Sequence, residues 1–154
     1  MSAEARLKEL NITLPPPARP MARYKMAVRV GNLLYISGHG PVKLTDDTPT
    51  TGRCGQDLTV ETGKACARSV GINILATLRD QLGSLDRVKR LVKTLGMVNS
   101  TPEFTQHPQV INGFSELMAD VFGEEAGVGA RSAVGMGALP GNIGVEIECI
   151  FEVE

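Results

Sequence analysis

The segment Gly144–Val153 alternates strictly between apolar and polar residues, and this pattern constrains the fold more than any other in the chain. Its apolar positions are Val145, Ile147, Cys149, Phe151 and Val153. Three of the four positions between them are glutamates. Because successive side chains of a strand point to opposite faces, the pattern predicts a β-strand with one face in a core and the other outside it. Such a strand needs a sheet that is covered by helices on one side.

Two further segments have the apolar spacing of amphipathic helices. The first is predicted to begin after the N-cap Thr59 and to end at Gly83, since threonine caps helix N-termini and glycine suits the C-terminal cap. Its apolar face repeats every four residues, at Cys66, Val70, Ile74 and Leu78. A second row holds the small residues Gly63, Ala67 and Gly71. This row predicts that the helix lies close to a sheet. The second helix is predicted over Val110–Phe122, with Gly123 at its end.

The remaining segments complete the sheet. Strands are predicted at Tyr24–Val30, Leu33–Ser37, Val88–Val98 and Ala130–Met136. The first two form a hairpin around Gly31-Asn32, and the following stretch from Gly38 to Gly55 is expected to be a long loop with at most one short strand. The order ββ–α–β–α–ββ predicts a single α+β domain, a mixed β-sheet with two helices on one face. No second layer remains for the other face, so we expect oligomerisation through it.

The N-terminus is predicted to form a short helix over residues 3–10, with Leu7 and Leu10 as its apolar stripe. The helix must stop before Pro15-Pro16-Pro17, because proline lacks an N–H group and disfavours helix in the residue before it. We therefore assign residues 1–20 to an N-terminal extension and residues 21–154 to the domain.

Charge and cysteine usage exclude several classes of protein. The 16 Lys and Arg against 17 Asp and Glu give a formal net charge of −1, with 4% aromatic residues and no Trp, so a broad nucleic-acid footprint is not expected. No apolar stretch reaches the roughly 20 residues of a membrane span, and no apolar signal segment opens the sequence. Three cysteines without close spacing favour a reduced, cytoplasmic protein. Cys54, in the predicted loop, is expected to be the most exposed thiol, and Cys66 and Cys149 are expected to be core residues.

Sequence motifs for common chemistries are absent. There is no phosphate-binding GxxxxGK[ST], no HExxH and no CxxC, so neither a metal site nor a cofactor is expected. No GxSxG elbow is present, although a Ser–His–Asp set cannot be judged from sequence alone. His39 is interpreted as a loop histidine that is solvated or hydrogen-bonded, with the alternative that it titrates near neutral pH inside a cleft.

Arg131 and Glu148 are the charged residues of greatest interest in the last two strands. Arg131 is predicted to point away from the face of Ser132 and Val134, and Glu148 away from the core stripe. They are interpreted either as a structural ion pair or as a carboxylate clamp and a proton-transfer group. Periodicity alone does not choose between the two.

Several separated motifs occur in an order that resembles the RidA/YjgF family, also described as the endoribonuclease L-PSP or reactive-intermediate deaminase family. They are Val30–Gly38, Asn112 with Glu116, Ala130–Val134, Leu139-Pro140 and Val145–Ile150. The similarity covers about residues 21–153. The extended N-terminus and the long 41–58 loop resemble a longer, divergent branch of that family.

The resemblance implies a chorismate-mutase-like fold, a homotrimer and three clefts between subunits. It implies that Arg131 binds a substrate carboxylate and that Glu148 activates water. The resemblance also implies that Gly38 and Ala133 contribute backbone groups to the site. It implies that Tyr24 forms a pocket wall and that the Asn112 side chain lies near the cleft. In this family pattern a strand lies between the strands of Arg131 and Glu148, and Ala133 replaces a cysteine.

Three functions follow from the resemblance. The first is hydrolysis of small enamines or imines, such as 2-aminoacrylate, to 2-keto acids and ammonia, without metal or cofactor. The second is a non-catalytic trimer that binds small carboxylates or a protein partner. The third, an endoribonuclease or translation inhibitor, is disfavoured by the near-zero net charge and the few aromatic residues.

Overall fold

The computed structural model describes residues 1–154 and contains five strands. They are β1 (Ala27–Val30), β2 (Leu33–His39), β3 (Val88–Asn99), β4 (Ala130–Met136) and β5 (Val145–Val153). They form one mixed sheet in the order β1-β2-β5-β3-β4. Only β3 and β4 run parallel, and every other neighbouring pair is antiparallel. The predicted mixed sheet is confirmed, as is the strand between β4 and β5.

Alternation in β5 places its apolar side chains in the core, as predicted. Val145, Ile147 and Phe151 have no exposed surface, and Glu148 on the other face is exposed. The hairpin between β1 and β2 turns at Gly31, whose φ of 61° lies in the left-handed region that glycine adopts without strain. β1 begins at Ala27 rather than at Tyr24, so the prediction for the first strand was three residues too long.

Four α-helices accompany the sheet: α1 (Ala3–Glu9), α2 (Val60–Leu82), α3 (His107–Phe122) and α4 (Glu124–Gly127). Thr59 caps α2 together with Thr62, whose side chain bonds back to the Thr59 backbone. Gly83 ends α2 with a left-handed φ of 82°, as predicted. α2 and α3 pack over one face of the sheet and form the core with it. The short helix α4 was not predicted.

The small residues of α2 face α3, which corrects the expectation that they face the sheet. A Cβ atom added to Gly63 would lie 3.1 Å from a methyl group of Val110, and one added to Gly71 would lie 2.8 Å from Leu117 Cδ2. On α3, a Cβ atom at Gly113 would lie 2.0 Å from the carbonyl oxygen of Lys64. Glycines on both helices therefore allow the two backbones to approach closely.

The N-terminal helix packs on the same body as the rest of the chain. Ala3 and Leu7 are buried in the common core, whereas Leu10 is 37% exposed and does not continue the predicted stripe. Glu4 accepts hydrogen bonds from Arg79 Nε at 3.1 Å and from the Leu85 backbone N–H at 2.9 Å. The hydrogen bond from Arg79 is the main reason that the pKa of Glu4 lies below its ordinary value.

The segment between β2 and α2 contains no strand, only isolated bridges such as those that link Cys54 to Leu58 and to Ser100. These bridges bury Cys54 completely, so the prediction of an exposed thiol is wrong. Burial raises the pKa of Cys54 to about 11 and that of Cys66 to about 12. Cys66 and Cys149 are buried as predicted.

The sheet face opposite the helices carries no second layer within the chain. Exposed apolar side chains on this open face include Val28, Val30, Tyr35 and Val134. They leave an apolar surface that would be covered in an oligomer. No helix in the structure is both long and apolar enough to cross a membrane.

Candidate functional site

Arg131 lies on the outer strand β4, on the helix-covered side of the sheet, opposite Thr94 of β3. Its Nη1 donates to Asn112 Oδ1 at 2.9 Å and to Ser115 Oγ at 3.1 Å, both on α3. Its Nε and Nη2 donate to no group in the chain, and none of the three ion pairs of the molecule includes it. Two neutral acceptors thus hold the guanidinium in place and leave most of its planar fork free for a carboxylate.

A depression of about 140 Å³ adjoins Arg131, the only charged residue among those that line it. Leu91 and Val128 contribute apolar walls, and Thr94 and Ser115 contribute hydroxyl groups. Such a small volume suits a compact organic acid rather than a drug-sized ligand. Arg131, Asn112, Ser115 and Ala133 are called the arginine half-site below, with Ala133 half-buried two residues further along the same face of β4.

Asn112, expected from the resemblance to lie near the cleft, is hydrogen-bonded to Arg131, and Ser115 was not identified from the sequence. The two residues are three positions apart on α3, a spacing that brings them to the same face of a helix. That spacing could have identified Ser115 once Asn112 was placed near an arginine.

Glu148 is exposed on the open face of β5, opposite Leu95 of β3. It takes part in none of the ion pairs of the chain, so Glu148 and Arg131 form no ion pair within one chain, and an ion pair between them would require two subunits. Glu146 lies two residues before it on the same face, about 7 Å away along the strand. Burial, and then the charge of Glu148, raise the pKa of Glu146.

Gly38 lies at the end of β2 and contacts the carboxyl group of Glu146. A Cβ atom at Gly38 would lie 2.6 Å from Glu146 Oε2, so any side chain here would displace that group. Sequence reasoning identified Gly38 but not Glu146. Repeated glutamates in an alternating strand look like ordinary surface residues, and no other sequence signal marks this one.

Tyr24 is 44% exposed and precedes β1, close to the end of β2 where Ser37 Oγ donates to the Lys25 carbonyl oxygen at 2.6 Å. Its hydroxyl accepts a hydrogen bond of 3.4 Å from the Met21 backbone N–H. Tyr24 also lines a cavity of about 240 Å³ beside α2. Gly38, Glu146 and Glu148 are called the glutamate half-site below. No hydrogen bond joins Tyr24 to them, and the cavity that Tyr24 lines lies on the α2 side of the sheet.

One chain keeps the two half-sites apart. Arg131 lies on the helix-covered side of an edge strand, whereas Glu148 lies on the open face with β3 between their strands. Tyr24 is adjacent to β1, at the opposite edge of the five-stranded sheet from β4. A ligand of the size that the arginine half-site accepts does not reach the glutamate half-site of the same chain.

His39 is not the loop residue that was expected. It belongs to β2 and is 2% exposed, with Nδ1 2.6 Å from the Ser37 carbonyl oxygen and Nε2 2.8 Å from Thr77 Oγ1. Because the carbonyl can only accept, Nδ1 carries a hydrogen, and the Thr77 hydroxyl donates to Nε2 of the neutral ring. Burial lowers the pKa of His39, which favours this neutral form. Of the two earlier interpretations, the hydrogen-bonded one is confirmed.

The fold and the divided site define a class of small α+β domains whose sheet has one bare face and whose site residues lie in two separate groups. The chain belongs to the YjgF/chorismate mutase-like family, because residues 4–148 match the model described as "YjgF/chorismate_mutase-like, putative endoribonuclease". It is 42% identical to Protein TCP17 of Trypanosoma cruzi over 97% of this chain and 92% of that protein.

Two solved structures and one further relative differ in how closely they match the chain. A protein of unknown function from Agrobacterium tumefaciens is 42% identical, with a TM-score of 0.87 over 99% of this chain and 94% of that one. RidA from an Antarctic Psychrobacter is 29% identical, with a TM-score of 0.59 over 90% of this chain and 94% of that one. A 2-iminobutanoate/2-iminopropanoate deaminase of Dermatophagoides farinae is 25% identical over 93% of this chain and 95% of that protein. The structure is therefore more similar to the Agrobacterium protein than to RidA.

Proposed function

We propose that this protein hydrolyses small carboxylate-bearing imines and enamines, such as 2-aminoacrylate, to 2-keto acids and ammonia. The observation that carries the proposal is the guanidinium of Arg131, which is oriented by Asn112 and Ser115 but has no carboxylate partner in its own chain. It adjoins a depression that suits a small acid. The deaminase name of the Dermatophagoides relative supports the same class of substrate.

The proposed site is completed between subunits of a homotrimer. The two half-sites lie on opposite sides of the sheet, so one chain cannot bring them together. In the trimer, the arginine half-site of one subunit would face the glutamate half-site of the next. The exposed apolar side chains of the open face, among them Val28 and Val30, support burial of that face in an assembly. In a cyclic trimer each subunit contacts its two neighbours through two different surfaces, so the ring closes with no interface left unpaired.

The chemistry needs only proton transfers at an anchored substrate. An enamine first tautomerises to the imine, whose carbon accepts a water molecule. Glu148 takes a proton from that water as the water oxygen bonds to the imine carbon, and it returns this proton to the imine nitrogen, which gives a neutral carbinolamine. Glu148 then transfers the hydroxyl proton of the carbinolamine to its amine. The C–N bond breaks, ammonia leaves and the carbonyl of the 2-keto acid forms. Arg131 contributes by holding the carboxylate so that the imine carbon stays beside the water.

The experiment generates 2-aminoacrylate or 2-iminobutanoate in the assay with a pyridoxal-phosphate-dependent dehydratase and follows keto-acid release with and without this protein. We expect acceleration by the wild type and a loss of roughly 10²–10⁴-fold in kcat for Glu148→Gln. Glu152→Gln is the matched control, since Glu152 lies on the same strand and face but pairs with Arg90. No acceleration by the wild type would overturn the proposed reaction.

Binding and turnover are separated by a second measurement. Arg131→Lys should weaken binding of pyruvate or 2-oxobutanoate, because lysine cannot reproduce the two-pronged contact of a guanidinium. Glu148→Gln should bind these acids almost normally, because it removes a group that acts in the transition state. Tight binding without any turnover in the wild type would instead favour the non-catalytic carboxylate binder.

A further inference from the structure

A second cavity, of about 370 Å³, lies where β3 ends and α3 begins. It is larger than the depression beside Arg131, and none of its lining residues is acidic. Its polar lining comes from Arg53, Ser100, Thr101 and His107, and Phe104 provides an aromatic wall. Gly135 of β4 lines it too, four residues and roughly 13 Å along the strand from Arg131. The proposed deamination does not use this cavity.

Ser100 connects the two basic side chains of the cavity. Its hydroxyl oxygen lies 3.2 Å from His107 Nε2, and its carbonyl oxygen accepts a hydrogen bond of 2.8 Å from Arg53 Nη2. Nε of Arg53 is buried without any hydrogen-bond partner, and Arg53 takes part in no ion pair. The charge of the Arg53 guanidinium is therefore not neutralised within the chain, and a bound anion would neutralise it.

Gly135 allows the Ser100–His107 pair to lie close against β4, and the start of α3 adds donors. A Cβ atom at Gly135 would lie 2.5 Å from His107 Nε2 and 2.7 Å from Ser100 Oγ, so the pair packs directly against this glycine. α3 begins at His107 without a side-chain cap, and its second residue is a proline. Its first N–H groups therefore have no partner within the helix, and the positive end of the helix dipole adds to the charge of Arg53.

We propose that this cavity binds the phosphate group of a small phosphorylated molecule. Arg53, the hydrogen-bonded Ser100–His107 pair and the start of α3 supply donors from several directions. That arrangement matches the three terminal oxygens of a phosphate better than the two coplanar oxygens of a carboxylate. Phe104 supplies an apolar surface for the remainder of the ligand. The inference concerns different residues from those of the proposed deamination and does not depend on it.

The test titrates the full chain with phenyl phosphate, inorganic phosphate and acetate, and follows binding by calorimetry and by the ring resonances of the two histidines. We expect saturable binding of phenyl phosphate that shifts His107 and leaves the buried His39 unchanged. Arg53→Gln should weaken binding roughly 10- to 100-fold, since it removes charge-assisted hydrogen bonds. Lys89→Gln, the matched control, removes one positive charge at the opposite end of β3 from the cavity and should bind phenyl phosphate like the wild type.

A second variant separates the role of Arg53 in binding from its role in the fold. Arg53 also holds the Ser100 carbonyl, so His107→Gln is measured as a second variant, with thermal unfolding as a check that each variant is folded. We expect His107→Gln to weaken phosphate binding at least severalfold. Absence of saturable phosphate binding, or equal affinity in both variants and the wild type, overturns the proposal. Because acetate also fits the depression beside Arg131, its binding to this cavity is judged from the His107 ring resonances alone. Acetate that shifts these resonances at concentrations as low as phosphate does overturns the assignment to phosphate.

Discussion

Replacement of Gly113 by alanine tests how closely α2 and α3 approach. The added Cβ atom would lie 2.0 Å from the Lys64 carbonyl oxygen, whereas ordinary contacts begin near 3.4 Å, so the two backbones must separate by 3.4 − 2.0 = 1.4 Å. Forced overpacking of this kind costs up to about 3 kcal/mol, and alanine regains about 1 kcal/mol through its higher helix propensity. We therefore expect Gly113→Ala to destabilise the protein by about 2 kcal/mol.

The assay is urea and thermal unfolding at one fixed protein concentration. For a chain of this size, 2 kcal/mol corresponds to a decrease in Tm of roughly 4–8 °C. Gly71→Ala is the matched control, because it gains the same helix propensity but meets side-chain atoms rather than backbone, namely Leu117 Cδ2 at 2.8 Å and Phe114 Cδ2 at 3.2 Å. It should change stability by less than about 1 kcal/mol. Equal stability of the two variants would refute the close backbone contact.

Three further perturbations follow from buried or closely packed groups. Burial lowers the pKa of His39 below the ordinary 6.5, so the ring is harder to protonate in the folded protein than in the unfolded one. The contribution of His39 to the free energy of unfolding is therefore fully present above pH 6.5 and is lost as the pH falls below that value. In urea unfolding between pH 7 and 5, the free energy of unfolding of the wild type should decrease by up to about 1.4 kcal/mol per pH unit more than that of His39→Gln. Cys54, buried with a pKa of about 11, should not react with a thiol reagent in the native protein at pH 8 but should react fully in urea; fast native labelling would contradict its burial. Gly38→Ala should displace the Glu146 carboxyl group and lower kcat in the imine assay, and unchanged kinetics would show that this contact has no role in turnover.

The fold could be predicted from the sequence wherever local periodicity coincides with a capping residue. β5 has strict alternation, and α2 has both Thr59 and Gly83 at its ends, so these elements were located almost to the residue. The first strand was predicted to begin too early because the aromatic side chain of Tyr24 favours a strand. No residue of β2 pairs with Tyr24, so the strand begins only at Ala27. The orientation of Gly63 and Gly71 toward α3 was not predictable, because small residues permit a close approach to either a sheet or a helix.

The site was predictable only in part, because its geometry depends on contacts between distant segments. Arg131 and Asn112 were identified, and the structure joins them by a hydrogen bond. Burial of Cys54 results from bridges to Leu58 and Ser100, which no local pattern reveals. The Ser100–His107 contact likewise arises from the loop that links β3 to α3, and a serine and a histidine seven residues apart carry no motif.

The central claim is that Arg131 of one subunit and Glu148 of the next form one active site, and subunit mixing tests it most directly. Arg131→Ala and Glu148→Gln should each be inactive alone. When the two variants are unfolded and refolded together in equal amounts, three quarters of the cyclic trimers are mixed and each has one intact site of three, which predicts about one quarter of wild-type activity. Recovery of that fraction supports a site shared between subunits. No recovery, with mixed trimers demonstrated by mass spectrometry, would contradict it.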